Sequence, residues 1–168
     1  MKTDEAVLAV EPVADSKFRS FLKAGHLPTL LTSLLYFDFC FAVWVLNGAM
    51  APFISAEFGL SPTQKGFMIS VPVIAGALMR FPLGLLAQYN GRKWAAQIEM
   101  GMICIGLANG YFLVESNTGV LVMGIVLGGA GASFGVALSL GSGWYPPKYK
   151  GIAMGIAGAG NSGAVLAV

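Results

Sequence analysis

The sequence predicts an all-α protein, a polytopic bundle of helices threaded through a lipid bilayer. Three observations carry this reading. Of 168 residues, 56% are hydrophobic and 11% are charged, where a soluble domain carries about 25% charged residues. Mean hydropathy is +0.73. The apolar residues fall in runs of about 20, enough to cross a hydrocarbon core, and short polar or basic stretches separate them.

The first 24 residues alternate acidic, basic and small residues with no apolar signal core, and residues 1–32 read as a mobile cytoplasmic tail. Residues 33–168 then hold five predicted spans. The first runs from about Leu34 to Ile54 and the second from about Lys65 to Leu86. Ser61, Pro62 and Gln64 mark the entrance to the second: a capping serine, a proline at the first helical position and an S-x-x-Q box. The third runs from about Trp94 to Val114 and the fourth from about Val120 to Ser142. Between these two, Asn117–Thr118 reads as one of the shortest loops. Trp144, Tyr145, Pro146 and Pro147 form an interfacial belt and a helix break. The fifth span starts at Gly151 and meets no polar stop, so the chain is expected to end inside it.

Basic residues set the orientation. Lys2, Lys17, Arg19, Lys23, Arg92, Lys93, Lys148 and Lys150 share one side if the N-terminus is cytoplasmic, and Lys65 alone lies opposite. This distribution predicts a multi-pass cell-membrane (inner-membrane) protein with a cytoplasmic N-terminus. A net charge of +2 without a basic run argues against nucleic acid. Cys40 and Cys104 lack metal or redox spacing and read as packing residues; His26, the one histidine, reads as solvated. No catalytic set, metal cluster or phosphate loop appears, so neither an enzyme nor a cofactor is expected.

Arg80 is the most informative residue. A cation at membrane depth costs at least about 2.5–3.5 kcal/mol on insertion scales, and Arg80 lies well inside the second span. Gly76, Arg80 and Gly84 share one helix face, which leaves space around the guanidinium. Its planar fork matches an oxyanion. An ion pair with Asp38 or Glu99 is the structural alternative, although both carboxylates read as interfacial or loop-bracing groups. In the fourth span Gly124, Gly128, Gly131 and Gly135 fall within about 60° of each other on an ideal helix, a stripe for close packing. Phe134 lies beside that stripe and reads first as an ordinary packing ring. Gly151, Gly155 and Gly158 form a second stripe in the fifth span, with Gly160 and Gly163 off it. Asn161 is an amide among glycines that needs a partner, either a neighbouring helix or a ligand.

Four stretches carry a resemblance. Gly84-Leu85-Leu86-Ala87-Gln88-Tyr89-Asn90-Gly91-Arg92-Lys93 resembles the loop signature of the major facilitator superfamily, with Gln88 where an acid is usual. Residues 151–163 resemble the fifth-helix signature of its nitrate/nitrite porter family, and Arg80-Phe81-Pro82-Leu83-Gly84 resembles the second-helix stretch with the substrate arginine. Gly128 to Phe134 with the Tyr145-Pro146 break resembles that family's fourth helix. The resemblance implies a carrier of two six-helix halves, of which this chain supplies a truncated N-terminal half. It implies that Arg80 is one clamp arginine, Asn161 a signature asparagine near the substrate, and Phe134 a ring bordering it. The implied partners are nitrate or nitrite, the bilayer and a C-terminal half needed for transport, with coupling to protons or to exit of another anion. Another small anion as cargo, or a non-transporting fragment that associates with a partner, are the alternatives.

Overall fold

A computed structural model of the chain describes residues 13–112 and 116–166. Those residues form seven α-helices and two 3-10 segments, with no strand among them. The helices are α1 (Val13–Ala24), α2 (Leu27–Glu57), α3 (Pro62–Tyr89), α4 (Arg92–Phe112), α5 (Asn117–Gly128), α6 (Ser133–Ser142) and α7 (Pro147–Gly158). The 3-10 segments are Gly129–Ala132, which joins α5 to α6, and Ala159–Leu166, which continues α7. By length and composition, three stretches could cross a membrane: Leu27–Glu57, Pro62–Tyr89 and Thr118–Ser142. They contain the first, second and fourth predicted spans. The third falls on α4 and the fifth on α7 with the segment after it. Val114 and residues 167–168, the ends of those two predicted spans, lie outside the described residues.

The helix ends follow local chemistry. The Ser61 hydroxyl accepts from the Gln64 amide at 3.3 Å, and the Gln64 side chain accepts from the Ser61 amide at 2.9 Å. This is the capping box the sequence predicts. Gly59 (φ +60) and Gly91 (φ +95) come after the last turns of α2 and α3 in a backbone region that favours glycine. Pro146 and Pro147 separate α6 from α7.

The structure departs from the predicted tail and loop. Residues 13–24 form a helix, and residues 1–12 lie outside the described part. Phe21 is 1% exposed and stacks on Tyr145 at 4.8 Å, while Lys17, Phe18, Arg19 and Lys23 face outward. Alternation of charge hid an amphipathic face whose partner lies 124 positions away. Tyr145 is accordingly turned inward, whereas Trp144 is 64% exposed. His26 is a cap: its Nδ1 accepts from the Thr29 amide at 3.3 Å, and its ring lies 5.6 Å from Trp144. Asn117 and Thr118 are not loop but the first turn of α5, capped by Ser116.

One buried cluster joins Tyr36, Phe37, Cys40 and Val43 of α2 to Ala95 and Ile103 of α4 and to Leu127, Ala130, Val136 and Ala137 of the fourth span. The glycine stripe makes it tight. A Cβ at Gly128 would meet the Pro72 carbonyl oxygen at 2.7 Å, and one at Gly131 would meet the Trp44 ring at 2.7 Å. Trp44 is held in turn by its indole N–H, which donates to the Pro72 carbonyl at 3.1 Å. Bare backbone on one helix therefore seats a ring and a carbonyl of its neighbours.

Candidate functional site

The 3-10 segment positions the site. A 3-10 turn has 3.0 residues where an α turn has 3.6, so four such residues rotate the downstream helix by roughly 80° beyond an ideal one. Gly135 is therefore swung off the stripe that Gly124, Gly128 and Gly131 keep. No atom lies within 4 Å of a Cβ built on it. Gly135 and Phe134 instead line a cavity of about 470 Å³, opposite Arg80. Gly84, Ala87, Gln88, Arg92 and Ser139 complete most of the wall.

Arg80 lies ten positions before Asn90, the C-cap of α3, about 15 Å along the axis at 1.5 Å per residue. Its Nε donates to the Gly131 carbonyl at 3.2 Å, which aims the guanidinium along the cavity. Among the described residues no carboxylate forms an ion pair with it. Glu99 is fully buried and engages Tyr36 across the α2–α4 contact. A guanidinium with unused donors, a ring edge and a bulk-free wall can receive a small planar anion.

The signature residues divide. Arg80, Phe134, Gly84 and Arg92 come together at the cavity. Arg92 opens α4 directly after the Gly91 turn, and its guanidinium packs over Gly143, so a side chain there would displace it. Lys93 lines a different groove, with Tyr36 and Gln97. Asn161 is exposed in the Ala159–Leu166 segment and does not line the cavity. Gly163 belongs to the same segment. Gly160 packs hard on α2, where a Cβ would meet the Leu34 carbonyl at 2.6 Å. A Cβ on Gly158 would touch Leu138 and Phe134 at 3.4 and 3.7 Å, whereas Gly151 and Gly155 face open space.

Sequence reading does not single out Gln88 and Ser139 as lining residues, Trp44 as a brace, or the burial of Glu99. A signal for the last exists: Glu99 shares the i−4, i+4, i+7 face of Ala95, Ile103 and Gly106, all buried.

Comparison with known proteins gives the family. Residues 32–168 match the Major Facilitator Superfamily. The chain belongs to that superfamily of membrane transporters. It is 34% identical over 146 residues to a "Probable nitrate/nitrite antiporter NarK1" of Thermus thermophilus, covering 84% of this chain and 32% of that protein. It is 30% identical over 146 residues to a "Probable nitrate transporter NarT" of Staphylococcus aureus strain JH9, covering 86% of this chain and 36% of the relative; strain Newman matches equally. The chain thus spans about a third of the length of the curated relatives it matches. As a superfamily member with long apolar helices, it is a multi-pass membrane protein.

Proposed function

We propose that this chain is the N-terminal part of a nitrate/nitrite carrier of the cell (inner) membrane, with Arg80 as its anion-binding cation. The observation that carries the reading is a guanidinium free of any carboxylate among the described residues, lining a cavity with Phe134 inside a membrane helix. The names of the relatives support nitrate or nitrite over other small anions. The basic residues of α1 and of the first turns of α4 and α7 support a cytoplasmic N-terminus. The open glycines Gly151 and Gly155 suit a second half that closes on this face, bringing a further cation to the anion. Rocking of two halves about a midplane site gives alternating access. Uptake against a negative interior costs about 2.3 kcal/mol per charge at 100 mV, so it requires a coupled ion.

Binding of labelled nitrate to the purified chain in lipid nanodiscs tests the reading, with nitrite and chloride as competitors. Arg80→Lys keeps the charge and loses the fork, so affinity falls on the order of tenfold while helicity is unchanged. Absence of nitrate binding to the wild-type chain, or unaltered binding by the lysine variant, would remove Arg80 from the site.

A further inference from the structure

Helix α4 carries a carboxyl where a membrane bundle least accommodates a charge. Glu99 is fully buried. Its Oε2 accepts a hydrogen bond from the Tyr36 hydroxyl of α2, and its Oε1 has no hydrogen-bond partner among the described residues. No ion pair reaches it there. The titratable groups facing it are the Tyr36 hydroxyl and the Cys40 thiol, both from α2. The fourth span offers only the Ser133 hydroxyl, which donates to the Ala130 carbonyl at 2.7 Å, and α5 carries no titratable residue. On α3, Arg80 faces the cavity, while Lys65 lies in the first turn and Tyr89 is the last residue. With one hydrogen-bond partner among the described residues and no counter-charge, the balance between carboxylate and carboxylic acid at this place is sensitive to any change of charge nearby. Packing alone asks only for a side chain that accepts one hydrogen bond. An ionisable group there has a different use.

The second observation is the segment between Glu99 and the cavity. Residues Gly129–Ala132 are all buried and interrupt the fourth span with a 3-10 turn. On one side Gly131 receives the Arg80 guanidinium. On the other, Ala130 packs in the cluster of Tyr36 and Cys40, and Ser133 approaches the Cys40 thiol. Mid-helix 3-10 turns mark hinges. The same four residues touch both neighbourhoods, so they form the packed route between Glu99 and the cavity.

We propose that Glu99, with Tyr36 as its hydrogen-bond partner, is the proton-exchange site of the carrier, linked to the Arg80 cavity through Gly129–Ala132. This rests on the anion reading above. The balance is simple. Glu99 takes a proton from water to become the carboxylic acid as the anion binds, and returns it to water when the anion leaves. One proton with one monovalent anion moves no net charge, which removes the membrane-potential penalty.

The test uses the purified chain in lipid nanodiscs with nitrate as the probe, in weak buffer with a pH dye, and nitrate-induced infrared difference spectra. At about pH 9, where a buried carboxyl ionises, wild type takes up protons on binding nitrate and gains a carboxylic-acid C=O band. Its affinity rises as pH falls, up to about tenfold per unit for one linked proton. Glu99→Gln still binds nitrate but loses the band, the proton uptake and the pH dependence. Tyr36→Phe keeps the proton uptake and shifts the band, because the carboxyl remains and its partner does not. Asp38→Asn, which removes one of the two carboxyls of α2, leaves the band in place. Nitrate binding by wild type without proton uptake overturns the proposal, leaves Glu99 a brace between α2 and α4, and spares the Arg80 reading. That measurement needs no variant to fold. Failure of wild type to bind nitrate at all overturns the anion reading itself, and this proposal falls with it.

Discussion

The two glycine-rich stretches of this chain look alike as text and are used in opposite ways. In the fourth span Gly124, Gly128 and Gly131 are pressed against α2 and α3, with Pro72 and Trp44 filling the space a side chain would take. In α7, Gly151 and Gly155 touch nothing within 4 Å of where a Cβ would stand. The first set shapes the core under Arg80; the second leaves a bare surface. Gly160 shows that the division runs even within one signature, because it meets the α2 backbone while Gly151 and Gly155 of the same motif do not. A glycine motif therefore announces missing bulk and says nothing about what comes close.

One substitution, glycine to alanine, sharpens the contrast when made in turn at three sites and read by denaturant unfolding of the purified chain in micelles. Gly128→Ala has the largest effect. Its methyl collides with the Pro72 backbone, which cannot rotate away, and stability drops by about 2–3 kcal/mol. Gly160→Ala meets the Leu34 carbonyl of α2 from the short 3-10 segment that follows α7. Its loss is about 1–2 kcal/mol. Gly155→Ala reverses the sign: with open space and a helical backbone, alanine stabilises by about 0.5–1 kcal/mol. Equal effects at Gly128 and Gly155 would abolish the distinction between the two stretches.

Part of the site is legible in the sequence and part is not. Arg80 can be found because a charge inside an apolar run is anomalous wherever it packs. Phe134 reads only as a ring beside a stripe. Its place opposite Arg80 comes from the 3-10 turn, which shifts the helix phase by an amount no ideal-helix count includes. Glu99 reads as interfacial because it is the eighth residue of α4. Its burial depends on Tyr36, 63 positions earlier, which turns toward it. The α1 helix reads as tail for a related reason: its charges are local, and the aromatic ring it stacks on is not.

What the sequence determined by itself are properties that reside in one stretch of chain. Apolar runs long enough for lipid, the Ser61 box, the paired prolines after Tyr145 and the asymmetry of lysine and arginine all act within a few residues of where they stand. Only the tertiary structure decided which glycines are covered, where the Gly129–Ala132 turn points Phe134, and that a glutamate and a tyrosine meet inside the bundle. Those outcomes arise between residues far apart in sequence, from how two helix surfaces fit, and no periodicity within either helix specifies the other's face.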